Sequence, residues 1–293
     1  MDGLLLIDKP SGITSSGVVL RVKRLLKEKV GHGGTLDPNA TGLLCLFIGK
    51  ATKIASYFYE VDKEYIAKAR FGIETDTQDI WGKIEKKGDA LFLTKDGIEK
   101  EIQNFIGEIE QTPPMVSAVH HQGKRLYDLA RKGIVVERRK RKIKIYEMDL
   151  ISFEEGENPE AEFRIRCSGG TYIRTLFSDM GEVLGVGGVM SSLRRVKIGK
   201  FLLKDAKTLD ELKSKEKKEI ESFIIPIQDA LYFMESAVIG DPIKVFYRQS
   251  FRFEGKDGFV KMETKDGIFL GIGKIERCFL SPIKIIAIQD DLL

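Results

Sequence analysis

Cysteine and histidine are scarce, at three each in 293 residues. Cys45, Cys167 and Cys278 lie far apart and are odd in number, which argues against a disulfide framework and a zinc knuckle. A reducing cytoplasm is the compartment expected from that usage. No histidine stands two places before a glutamate, and no cysteines form a Pro-Cys-x-x-Cys pair, so the zinc chemistry of nucleobase deaminases is excluded. A metal site of any kind is not expected. Long apolar runs are also missing: none approaches the roughly 20 residues that span a bilayer. The N-terminal MDGLLLIDKP has four apolar residues bounded by acids, which reads as a buried strand rather than a signal peptide. The glycine clusters lack nucleotide-binding grammar. Gly31-His32-Gly33-Gly34-Thr35 is not followed by Gly-Lys-Ser/Thr, and Gly185-Val186-Gly187-Gly188-Val189-Met190 follows a helical pattern and lacks the closing small residue.

What is present suits a soluble globular chain, 42% hydrophobic and 31% charged, long enough for one large and one small domain. The net charge of +4 is not diagnostic, but its distribution is uneven. Residues 121–145 hold ten Lys/Arg, among them Lys124, Arg125, Arg138, Arg139 and Arg141, against Asp128 and Glu137. Such a stretch can track a phosphate backbone, and it can equally be a solvated charged face.

Leu4–Ile7 reads as a short buried strand and Lys9-Pro10-Ser11-Gly12 as a turn. Ser15 or Ser16 then caps a helix with Val18, Val22, Leu25 and Leu26 at helical spacing. Residues 31–42 read as a loop and Leu43–Ile48 as an apolar strand. Tyr65 to Phe71 alternates with period two. A helix is expected from Thr94 to about Phe105, a short one near Arg125–Lys132, and another opened by residues 168–171 and ended by Gly185, Gly187 and Gly188. Lys207–Ser222 reads as one charged helix. From about Ser236 short β-rich runs follow at 243–246, 259–262, 268–272 and 283–288, read as a small separate β module. The irregular order of strands and helices favours an α+β architecture.

Asp37 precedes a proline, which biases its backbone to an extended form in a loop just ahead of a strand. Taken blind, such an aspartate is more often a turn stabiliser than a catalyst. Its surroundings, Gly31 to Gly42 followed by Gly49-Lys50-Ala51-Thr52-Lys53, resemble the catalytic motif of the TruB family of pseudouridine synthases. Four further blocks resemble that family in the same order: residues 3–15, Lys63-Glu64-Tyr65 with residues 71–79, residues 111–118, and residues 167–176 with Leu193-Arg194-Arg195 behind them. The resemblance covers about residues 3–200. His121 is one histidine more than the pattern places, and Gly33-Gly34 makes the loop flexible on paper.

The resemblance implies a mixed β-sheet catalytic domain with flanking helices over residues 1–230, an RNA-binding insertion at about 121–145, and a PUA-like RNA-binding β domain over 236–293. It implies isomerisation of uridine 55 in the T loop of tRNA, by base flipping and without a cofactor or metal. Asp37 becomes the essential aspartate, Tyr65 the residue stacking on the target base, and Arg174 the partner of the aspartate. Tyr172 and Leu193 line the uracil pocket, and His32 fills the space left by the extruded base. The reaction breaks N1–C1′ and joins C5 to C1′, so it is redox-neutral and needs no outside group. Each residue has a plainer role open to it: Tyr65 as ordinary core, Arg174 as a phosphate ligand, His32 as a loop residue. Two other activities remain open, a non-catalytic tRNA-binding or folding protein and a guide-RNA-dependent synthase subunit. A monomer with tRNA as its partner and no membrane is expected.

Overall fold

The computed structural model describes residues 1–117, 120–121, 123–130 and 132–287, with only the backbone at 120, 121, 124 and 125. The strands of the first half are β1 (Gly3–Lys9), β2 (Val30–His32), β3 (Thr41–Ile48), β4 (Lys63–Phe71), β5 (Ile73–Thr75), β6 (Ile84–Lys87) and β7 (Gly107–Gln111). Between them lie helices α1 (Ser15–Leu26) and α2 (Lys95–Ile102). The two-residue strands β8 (His120–His121) and β9 (Lys124–Arg125) precede α3 (Leu126–Ala130). Then come β10 (Arg141–Glu154), β11 (Glu160–Cys167), α4 (Ile173–Val183), β12 (Gly188–Ile198) and β13 (Phe201–Leu202).

The main sheet runs β1-β3-β12-β4-β11-β10-β7, with β2 on β3 and β13 on β12. Only β12–β3 is parallel, which makes the sheet mixed as expected. β4 has the clean alternation seen in its sequence: Tyr65, Ala67, Ala69 and Phe71 are buried, while Ile66, Lys68 and Arg70 are half-exposed. The buried side packs with Phe163, Ile165, Leu176 and Phe177. β3 is buried on both faces: Leu43, Cys45 and Phe47 enter one core cluster, Leu44, Leu46 and Ile48 another. It therefore reads as a continuous apolar run. α1 buries Val18, Val22 and Leu26 against that second cluster.

Several expectations need correction. The cap of α1 is Thr14, whose hydroxyl accepts from Gly17 N at 2.9 Å, not Ser15 or Ser16. Ser15 is buried and spent elsewhere. The segment read as loop from residue 31 begins inside β2. Gly188 does not end a helix but starts β12. The charged helix over 207–222 is two short ones, α5 (Leu209–Lys213) and α6 (Lys217–Glu221), each opened by its own capping box, Thr208 with Glu211 and Glu216 with Glu219. Arg141–Ile145, at the end of the expected insertion, pair residue by residue with β7.

After α7 (Ile227–Ala230) the chain builds β14 (Glu235–Val238), α8 (Ile243–Phe246), β15 (Phe251–Arg252), β16 (Gly258–Glu263), β17 (Phe269–Glu276) and β18 (Phe279–Ile285). They form a smaller five-stranded sheet, β14-β16-β17-β18-β15. Residues 243–246, read as a strand, are one helical turn after Pro242. The last strand starts earlier than read, at Phe279, and Ile288 lies outside the described residues. This module is less separate than its composition suggests: Ile272 and Ile286 share a core cluster with Leu4, Phe47, Phe58 and Ala230.

Candidate active site

The loop from Gly33 to Ala40 carries Asp37 and is fastened at several points. Lys9, fully buried at the end of β1, donates from Nζ to the carbonyl oxygens of Pro10 at 2.9 Å, Pro38 at 2.9 Å and Ala40 at 2.6 Å. Burial lowers its pKa to about 8, which leaves it cationic at neutral pH, and the three carbonyls favour that charged form. The Ser15 hydroxyl donates to Leu36 O at 3.0 Å and accepts from Leu36 N at 2.9 Å. Gly12 N donates to Pro38 O at 3.0 Å, and Ala40 N to Asp37 O at 3.1 Å. Two glycines fit the loop to its surroundings. A Cβ on Gly33 would sit 2.7 Å from the Phe47 ring, and one on Gly42, whose φ is +100°, would collide with the Arg195 carbonyl. Gly33 therefore serves close packing, and Gly34, at φ +109°, a backbone conformation that side chains rarely adopt.

Beneath the loop lies Arg195, fully buried. It donates from Nε to Leu43 O at 2.8 Å and from Nη2 to Gly34 O at 3.1 Å, and its positive charge opposes the rise in the Tyr65 pKa. Tyr65 and Arg195 are directly opposed in the β4–β12 ladder, which puts their side chains on one face. Tyr65 is 7% exposed, and burial pushes its phenol up to about 12, so it is neutral at physiological pH.

Arg174, in the first turn of α4, is only 4% exposed and meets Asp37 side-on: Nε to Oδ2 at 3.0 Å and Nη2 to Oδ1 at 3.3 Å. It also donates to Thr77 O at 2.9 Å and to Val116 O at 2.8 Å, and approaches Asp79 Oδ2 at 3.7 Å. A guanidinium offers five donors in a fixed fork, and here two backbone carbonyls and two carboxylates hold that fork in one orientation. The Asp37 side chain keeps a third of its surface exposed, so a ligand can reach it. Its pKa is nonetheless raised above the ordinary aspartate value. Burial is the largest cause, opposed by the Arg174 and Lys9 charges and assisted by the charge of Asp79.

Tyr172 sits at the N-terminus of α4, clamped by Gln111, whose amide accepts from Tyr172 N at 2.8 Å and donates to Tyr172 O at 3.0 Å. Leu193 lies on β12 opposite Ala67 of β4, two residues from Arg195 and Tyr65 in the same ladder. His32 ends β2, paired with Leu46, one residue before the loop that carries Asp37. These six residues thus come from five segments that converge on the sheet. Asp79, Arg195 and Gln111 were not read as site residues. All three fall within or beside the quoted motifs, and only their partners across the fold show what they hold.

The basic segment gives a divided picture. The Arg138 guanidinium donates to Pro113 O at 3.1 Å and is half-buried, so it braces the chain rather than standing free. Arg139 and Arg141 are exposed. The side chains of Lys124 and Arg125 lie outside the described residues, as does Arg131.

Comparison with known proteins gives consistent matches. The family model for the N-terminal domain of TruB family pseudouridylate synthases matches residues 23–173. That for the tRNA pseudouridylate synthase B C-terminal domain matches residues 174–236. The chain is 44% identical over 282 residues to tRNA pseudouridine synthase B of Clostridium kluyveri, covering 93% of this chain and 95% of the relative. It is 40% identical over 291 residues to the protein of the same name from Aquifex aeolicus, covering 98% and 100%. Among solved structures, an archaeal box H/ACA small ribonucleoprotein complex contains a chain of the same fold, with a TM-score of 0.72, 25% identity, and 98% of this chain and 87% of that chain covered.

Proposed function

The chain belongs to the TruB family of pseudouridylate synthases, and from that premise and the site geometry we propose that it converts uridine 55 in the T loop of tRNA to pseudouridine. The observation that carries this reading is the side-on pairing of Asp37 with Arg174, a carboxylate that is anchored yet one-third exposed. A base stacked in a folded loop must be flipped out before its C1′ and C5 can be reached, at a cost of a few kcal/mol. Stacking on Tyr65 offsets part of that cost, with Leu193 and Tyr172 bordering the base. On this reading His32 takes the place of the extruded nucleotide.

In the reaction N1–C1′ breaks, the uracil turns and C5–C1′ forms, while the C5 proton leaves and N1 gains one. Asp37 acts as the anionic group against the nucleotide, and Arg174 keeps it charged and oriented. Because its phenol titrates near 12, Tyr65 acts first as a neutral hydrogen-bonding ring. The exposed Arg139 and Arg141 and the C-terminal sheet, read as PUA-like, supply further tRNA contacts. The protein works as a cytoplasmic monomer on the T arm. Among the described residues no helix is long and apolar enough to cross a membrane.

Tritium release from C5-labelled uridine in unmodified tRNA, with purified protein and no guide RNA, tests this. Release by the wild type and not by Asp37→Ala is expected. Release by both would remove Asp37 from the chemistry. Release by neither would favour a tRNA-binding protein, and release only on adding a guide RNA would favour a particle subunit.

A further inference from the structure

The turn that brings Asp79 to Arg174 also carries Trp81, the only tryptophan in the chain. Its backbone N–H donates to Asp79 Oδ1 at 3.1 Å, yet the residue is 49% exposed. The turn is not loose. Thr75 Oγ1 donates to Asp79 O at 2.7 Å, Thr77 Oγ1 to Asp79 Oδ1 at 2.7 Å, and Ile80 N to Met190 O at 3.0 Å. Thr175 of α4 donates to Gln78 Oε1 at 2.8 Å, tying the turn to the helix that bears Arg174. A half-exposed ring carried on a braced turn has its backbone already ordered for a partner, so docking forfeits little backbone entropy.

A second observation points to the kind of partner. Directly after Trp81 the chain presents Lys83, Lys86 and Lys87, all exposed. Lys86 pairs with Glu74 at 3.0 Å, whereas no ion pair among the described residues involves Lys83 or Lys87. An aromatic plane beside unspent ammonium groups suits single-stranded nucleic acid, in which a base stacks on the ring and phosphates meet the charges. Position agrees. Trp81 is joined to the catalytic carboxylate through Asp79 and Arg174, by contacts of 3.1, 3.7 and 3.0 Å. That ties the turn bearing Trp81, through its backbone N–H, to the residues around the Asp37 carboxylate.

We propose that Trp81 is a stacking platform for an unpaired T-loop nucleotide next to the target uridine, with Lys83 and Lys87 on the phosphates of the same strand. The inference rests on the reading of the chain as a tRNA pseudouridine synthase, and the test separates the two. Because Trp81 is the sole indole, its emission reports the contact directly. Titrating the full-length Asp37→Ala protein with an unmodified T-arm stem-loop RNA should quench that emission along the same curve as filter binding. Unchanged emission at saturation would overturn the proposal. Trp81→Ala should weaken binding about 10-fold and Trp81→Phe much less, since stacking needs a ring rather than an indole. Equal affinity of all three proteins would also overturn it. Charge reversal at Lys83 and Lys87 should reduce the salt slope of binding by about one per lysine, and an unaltered slope would remove both from the contact. Wild-type tritium release is measured on the same RNA. If it is absent, the functional reading fails. If it is normal while the indole stays silent, only the Trp81 proposal fails.

Discussion

At the scale of single residues, the site is governed by the charge balance on Asp37. Its carboxyl is raised by burial and by Asp79 and lowered by Arg174 and Lys9. On the proposed role of ionised Asp37, activity should fall as pH drops through a value above that of an ordinary aspartate. The neighbours then make opposite predictions. Arg174→Leu removes a charge that lowers the pKa, so the acid limb of the single-turnover pH profile should move to higher pH, with a rate loss of about 100-fold or more from lost orientation. Asp79→Asn removes a charge that raises it, so the acid limb should move to lower pH even as the rate falls. Movement of both limbs in one direction would show that the variants act through misplacement alone. Legibility at this scale was partial. Asp37 and Arg174 stood out in their motifs, but Asp79 lay in a quoted motif without a role, because its use depends on a guanidinium 95 positions away in the chain.

At the scale of elements, the loop that carries Asp37 is held by the start of the chain. β1 supplies Lys9 and α1 supplies Ser15, which give the buried Ala40 O and the Leu36 N and O their side-chain partners. Ser15→Ala leaves both Leu36 N and Leu36 O unpaired and should cost about 1–3 kcal/mol in denaturant unfolding, with a larger drop in turnover than in tRNA affinity. Preserved stability and turnover would show the loop is held by its other contacts. Thr208→Ala, which removes one half of a capping box at the exposed start of a short helix, should cost about 1 kcal/mol and leave turnover unaffected. Local signals were readable here wherever one pattern dominated, as in the alternation of β4. They misled where two signals overlapped. The charged stretch 207–222 has helical propensity throughout, but a second set of caps divides it. In the same way, Ile243-Lys244-Val245-Phe246 has strand-like composition yet turns helically behind Pro242.

At the scale of the whole molecule, the two sheets share a core. Ile272 and Ile286 pack into the cluster of Leu4 and Phe47, Tyr57 meets Phe259 edge-on at 5.2 Å, and Lys53 donates to Ile285 O at 2.7 Å. Truncation after Met234 should therefore lower the Tm of the remaining chain, measured by calorimetry, as well as weaken tRNA binding. A catalytic part that melts unchanged would mean the shared cluster contributes nothing. The basic segment should act through long-range charge. Reversal of Arg139 and Arg141 should lower the salt slope of tRNA binding by about one per lost phosphate contact, with little change in single-turnover chemistry. Arg138→Glu should also disturb the chain near Pro113, because its guanidinium is bonded there.

By itself the sequence determined the family resemblance and the α+β class and singled out Asp37 as the candidate aspartate, since these rest on residue order and short-range periodicity. Which side chains surround that aspartate was decided only by the tertiary structure. The Arg174–Asp37 contact spans 137 positions, and Tyr65 faces Arg195 only through the register of β4 on β12. The physical reason is that a side chain's surroundings are fixed by strand register and packing, where a shift of one residue would turn every partner to the opposite face.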